Sequence, residues 1–67
     1  MTNPQSLVLL SETEAAKFLG ISQSALAKMR LSKTGPTYVR YSKSIIRYPI
    51  PELVEFVEAS IVTNTSS

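Results

Sequence analysis

The sequence predicts one small α+β domain: two helices joined by a very short turn, a two-stranded β hairpin, and a closing helix. Three observations carry that prediction. Helix start signals at Ser11 and Ser22 each precede apolar residues at helical spacing. Two runs rich in β-branched and aromatic residues, Thr37–Tyr41 and Ile45–Tyr48, are separated only by Ser42-Lys43-Ser44. The chain of 67 residues is short of the length that a second domain needs.

Taken in order, residues 1–8 read as a flexible arm, 9–62 as the domain, and 63–67 as a disordered tail. Leu7 to Leu10 is an apolar lead-in to Ser11, which forms a capping box with Glu14 three residues on. Glu12 and Glu14 lie in the first turn, where the helix dipole favours negative charge, so both are read as capping groups. The first helix is expected from Glu12 to about Leu19, with Ala15, Ala16 and Leu19 on one face and Gly20 in a left-handed turn behind it. Ser22 caps a second helix, about Gln23 to Arg30, whose inner face carries Leu26 and Met29. A join as short as Gly20-Ile21-Ser22 cannot lay the helices side by side and makes them cross, as in a helix-turn-helix. Ala16 is small enough for that crossing, and Leu19, Ile21, Leu26 and Met29 are expected to fill the wedge.

Leu31 to Pro36 is a loop. In the hairpin that follows, alternation suggests Val39 and Tyr41 on one face and Ile46 and Tyr48 on one, all inward, with Arg40 and Arg47 outward. The three tyrosines are read as packing groups before stacking platforms for bases. Pro49-Ile50-Pro51 ends the pairing and opens the last helix, expected from Glu52 to about Val62. Leu53, Phe56 and Val57 form its apolar stripe, with Glu52, Glu55 and Glu58 along another face.

Composition weighs against catalysis. With neither histidine nor cysteine, the commonest general base, the thiol nucleophile and the soft metal ligands are missing, so no enzyme, metal or cofactor is expected. The only glycines are Gly20 and Gly35, which excludes a glycine-rich phosphate loop. Absence of cysteine fits a reducing compartment, and neither a signal peptide nor a membrane span is legible, so a cytoplasmic, nucleoid-associated protein is expected. Asn64-Thr65-Ser66 matches a glycosylation pattern and is read as chance.

The net charge of +2 conceals a segregation: all seven basic residues lie between Lys17 and Arg47, and all five acids lie outside that segment. Folded onto one face, these cations form the electrostatic footprint of a nucleic-acid binder.

The stretch LLSETEAAKFLGISQSALAKMR, followed by GPTYVRYSKSIIRYPIPELVEFVE, resembles the small winged helix-turn-helix proteins grouped with excisionases, AlpA-type phage regulators and the DNA-binding heads of MerR regulators. The resemblance spans about Leu9 to Glu58 and includes the Glu-Ala-Ala of the first helix, the Gly-Ile-Ser turn, Gly35-Pro36, Ile46-Arg47-Tyr48 and the final helix. Two departures are the wing turn Ser42-Lys43-Ser44, which lacks the glycine such members often carry, and Met29 and Phe56, where tryptophan is frequent. The resemblance implies a winged helix that binds duplex DNA, with the second helix in the major groove and the wing, residues 37–48, on the backbone or minor groove.

With Leu26 and Met29 inward, Gln23, Ser24, Ala27 and Lys28 are the expected base readers: Gln23 for adenine, Ala27 for a thymine methyl, Lys28 for guanine or phosphate. Ser22, Arg30, Lys33, Thr34, Arg40, Lys43 and Arg47 are the expected backbone contacts. One such module reads only about 3–4 base pairs, so further copies of the chain or a recombinase or transcription partner are expected beside it. The expected role is transcription regulation or excision for a phage or mobile element. The rival is a protein-interaction adaptor that no longer binds DNA, which replacement of Lys28 and Arg30 by alanine would separate.

Overall fold

The computed structural model describes residues 8–63, and the expectations for the arm before Val8 and the tail after Thr63 lie outside them. The protein is a small α+β fold with three helices and a three-stranded antiparallel sheet. In chain order the elements are β1 (Leu9–Leu10), α1 (Glu12–Leu19), α2 (Gln23–Leu31), β2 (Val39–Arg40), β3 (Ile46–Pro49) and α3 (Ile50–Ser60).

Local chemistry sets both ends of α1. The Ser11 hydroxyl accepts from the Glu14 amide at 3.2 Å, while the Glu14 carboxylate accepts from the Ser11 amide at 3.0 Å. At the other end Gly20 takes φ 75°, and the amides of Gly20 and Ile21 close back onto the carbonyls of Lys17 and Ala16. Ser22 then caps α2 by accepting from the Ala25 amide at 3.1 Å. In α3, which starts two residues earlier than expected, Pro49 is the N-cap and Pro51 lies in the first turn, where a missing amide leaves no bond unmade.

The sheet differs from the expected two-stranded wing. Leu9 and Leu10, expected only as a lead-in, form an edge strand paired with Pro49 and Tyr48, which makes β3 the centre of the order β1-β3-β2. Val8 joins the fold too: its carbonyl accepts from the Ile50 amide at 3.1 Å.

Register also corrects the faces of the hairpin. Val39 stands opposite Arg47, and Arg40 stands opposite Ile46, so each pair shares a face. Ile46 and Tyr48 are buried as expected. Val39, however, lies on the face opposite to theirs, and Arg40 lies on their side at the sheet edge, where it stays exposed. A one-residue difference in register exchanges every face, which is why alternation within each run could not decide the pairing between runs. Tyr41 falls outside the two-residue β2 and is 62% exposed, not inward.

The core is α1 laid on α2, α3, β1 and β3. Ala15 and Ala16 are buried, and their small side chains let the neighbouring elements come close. Leu26 from α2, Leu53 from α3, and Ile46 and Tyr48 from β3 fill the remainder, with Leu10, Leu19 and Tyr38 at the margin. Full burial of residues such as Leu26 or Leu53 contributes about 1.5–3 kcal/mol each. Ile21, expected in the wedge, is exposed at the turn, and on α3 Val57 is exposed where Leu53 is buried. Among the described residues no helix is long and apolar enough to cross a membrane.

Candidate nucleic-acid interface

Helix α2 begins at the Ser22 cap, and its first turn carries no acidic residue, unlike the first turns of α1 and α3. Ser24 and Lys28 lie one turn apart on its outer side and are exposed, and Ala27 between them is half-buried. Leu31, one turn beyond, continues the same face at 73% exposure. It was not among the expected readers. Its spacing of seven from Ser24 is the sequence signal for that exposure, because it places Leu31 on the outer face of α2.

Gln23 is exposed but stands at the flank of that face. Its side chain lies close enough to Glu12 to help lower the carboxyl pKa, without closing a hydrogen bond of standard geometry. Glu12 is thus more than a capping group. Its Oε2 accepts from Arg30 Nε at 2.8 Å and from the Tyr48 hydroxyl at 3.2 Å. Both partners of the ion pair are largely buried, with side-chain exposures of 17% for Arg30 and 16% for Glu12.

The pKa directions follow from this junction. Burial is the largest single influence on Glu12 and raises its pKa, but the hydrogen bond and charge of Arg30, then Tyr48 and Gln23, together outweigh it and leave the value lowered. The same hydrogen bond raises Arg30. Burial, reinforced by the Glu12 charge, pushes the Tyr48 hydroxyl up to about 12. On the first turn of α1, the capping hydrogen bonds from Ser11 lower Glu14, with the charges of Arg47 and Lys17 adding to the effect.

Past α2 the chain turns through Ser32 and Lys33. Lys33 adopts φ 61°, a left-handed conformation that side chains rarely enter. The bonds from the Lys33 amide to Arg30 O at 3.2 Å and from the Thr34 amide to Met29 O at 2.9 Å complete a helix-ending motif whose left-handed residue is usually glycine. Thr34 is exposed, and its hydroxyl is 2.9 Å from that of Ser32. A shallow groove of ≈ 290 Å³ follows, lined by Arg30, Lys33, Gly35, Pro36, Thr37 and Tyr38. The fold therefore brings Arg30 and Lys33 to one groove, though only Lys33 is exposed.

In the hairpin, Arg40 and Lys43 are exposed, whereas Arg47 is half-buried with its Nη1 donating to the Ile46 carbonyl at 2.8 Å. Ser22 is exposed, with its hydroxyl oxygen already engaged in the cap. Of the expected backbone contacts, Arg30 and Arg47 are thus tied down within the fold. Lys33, Arg40 and Lys43, together with Lys28 on α2, are exposed and take part in no salt bridge among the described residues.

No protein-family model matches the chain, and no curated protein matches it. Among the described residues no acidic cluster could hold a metal ion. The surface offers instead one helix face with small polar groups and a lysine, followed by exposed cations from the loop and hairpin.

Proposed function

We propose that the protein is a sequence-specific double-stranded DNA-binding protein of the winged helix-turn-helix kind, similar to excisionases and AlpA-type regulators, serving a phage or mobile element in transcription or excision. The observation that carries the reading is the join of α1 to α2 through Gly20-Ile21-Ser22, which leaves Ser24, Lys28 and the flanking Gln23 exposed on α2. Lys33, Arg40 and Lys43 follow in the next two structural pieces, and no acid interrupts the chain from Lys17 to Arg47. In this reading the N-terminal half of α2 enters the major groove, where Gln23 contacts adenine, Ala27 a thymine methyl and Lys28 guanine or phosphate. Ser22, Lys33, Thr34, Arg40 and Lys43 hold phosphates, and Arg30 orients α2 through Glu12.

Selection of bound fragments from a random duplex pool at two salt concentrations tests it. A recurrent motif of a few base pairs, repeated or inverted, is the expected result; no enrichment at either salt concentration overturns the reading. Gln23→Ala relaxes preference at one base pair within that motif, and Lys28→Ala weakens binding to all sequences.

A protein-interaction adaptor is the second reading. An apolar groove of ≈ 340 Å³ lined by Leu19, Ile21, Met29, Phe56, Val57, Ser60 and Ile61 favours it. The two readings part on the paired variant Lys28→Ala and Lys33→Ala. Arg30 is unsuited to that test because its loss also breaks the bond to Glu12.

A further inference from the structure

We infer that the tip of the β2–β3 hairpin is a minor-groove wedge, in which Tyr41 and Ile45 insert together between base steps and kink the duplex. The inference rests on the DNA-binding reading above and adds a task for the hairpin that charge alone does not give it.

The pairing of Val39 with Arg47 and Arg40 with Ile46 sets Tyr41 opposite Ile45 in the next position. A bond from the Tyr41 amide to the Ile45 carbonyl at 2.9 Å closes that position. Opposed residues share a face, so the two side chains stand side by side at the end of the hairpin. They remain 62% and 44% exposed. The other two tyrosines do the packing: Tyr38 and Tyr48 lie with ring centroids 5.8 Å apart, and Tyr48 is fully buried. Tyr41 has no such role.

The turn beneath the pair is built. The Ile45 amide donates to the Ser42 carbonyl at 3.3 Å, and the Ser44 amide donates to the Ser42 hydroxyl at 3.4 Å. An ordered turn presents the ring and the branched chain without waiting for a partner to arrange them, which lowers the entropy lost on insertion. Exposed Lys43 lies in the turn between the two, half-buried Arg47 follows Ile45 on the same face, and the two serines supply short hydrogen-bonding groups. Apolar side chains beside cations suit a polyanion whose flat apolar surfaces lie inside a groove. The minor groove is about 6 Å wide, too narrow for a helix, and β-strands enter it where the duplex is deformed. Apolar wedges placed there unstack a base step and bend the duplex toward the major groove.

The test uses the whole chain and a duplex recovered from the random-pool selection, labelled at both ends for energy transfer and carrying 2-aminopurine at successive steps. Wild-type protein is expected to give a kink in the range of roughly 20–90° and a fluorescence rise confined to one step. Tyr41→Phe keeps both. Tyr41→Ala abolishes both and weakens binding about tenfold, the scale of one lost stacking contact, while the salt dependence stays as it was because no charge is removed. A Tyr41→Ala protein that binds, kinks and unstacks like the wild type overturns the wedge and leaves the DNA reading intact. A wild-type protein that binds no duplex overturns the DNA reading, and the wedge with it.

Discussion

Glu12 meets α2 and β3 through a single carboxylate oxygen, since Arg30 comes from one and Tyr48 from the other. Replacing it with glutamine keeps the shape but removes the charge, which leaves a largely buried guanidinium without its counter-ion. Glu12→Gln is expected to lower stability by about 1–3 kcal/mol in urea unfolding at neutral pH, the cost of an unpaired group in a partly buried site. The pH dependence has a defined sign. The folded pKa of Glu12 lies below its ordinary 4.5, so its stabilising effect is complete above about that pH and is lost as the pH falls through the folded value. Wild type therefore loses stability in acid more steeply than Glu12→Gln, and parallel curves would show that the ion pair contributes nothing. Lys33 offers a test of the opposite sense. Its φ of 61° strains a lysine but not a glycine. Lys33→Gly is expected to raise stability by about 0.5–1 kcal/mol in thermal unfolding, less than the full left-handed penalty because glycine also frees the unfolded chain. The same variant should bind DNA more weakly, since a strained side chain kept at an exposed position marks use of its charge. A loss of stability would mean that the lysine stem packs in the groove beside Tyr38.

Gly35 works at the scale of the element. A Cβ placed there would come within 3.1 Å of the Met29 Cβ, which is fixed to the α2 backbone and cannot swing aside. Gly35→Ala is thus expected to cost about 1–3 kcal/mol in chemical denaturation by pushing the β2 approach away from α2, with Lys33→Ala as the neutral comparison for a loop change. The sequence shows Gly35 as loop punctuation, but not the close approach, because the neighbour six residues back becomes a neighbour in space only after α2 has ended. The same distinction explains which elements were legible. Both ends of α1 were, since the Ser11–Glu14 box and Gly20 act within a few residues of themselves. The Leu9–Leu10 strand was not, because two residues carry no period and their partners lie about forty positions away in β3. Register between β2 and β3 failed for a related reason: both runs alternate, and only the fold says which side of one faces which side of the other. Helical spacing correctly exposed Ser24 and Lys28 on α2, yet it could not reveal that Arg30 turns back to a carboxylate on α1.

At the scale of the molecule, folding sorts the charges further than the sequence does. Glu12 is consumed by Arg30 and Glu14 by its cap, which leaves the acids of α3, Glu52, Glu55 and Glu58. On the other side Arg30 and Arg47 are engaged within the fold, so Lys28, Lys33, Arg40 and Lys43 are the exposed cations of the proposed surface. This division makes the salt dependence of binding a measure of the site itself. Each phosphate neutralised contributes about −0.9 to the slope of log Kobs against log salt, so the four cations predict a slope of about −3.6 on duplex DNA. Lys43→Ala, which removes one of them, brings the slope to about −2.7 with the unfolding midpoint unchanged. Arg30→Ala does the reverse: it lowers the unfolding midpoint and leaves the slope near the wild-type value, because the lost partner of Arg30 is Glu12 and not a phosphate. Binding titrations of the three proteins over a salt series, paired with thermal unfolding, separate these cases. A slope that falls for Arg30→Ala as it does for Lys43→Ala would return Arg30 to the DNA surface and require the Glu12 contact to open on binding.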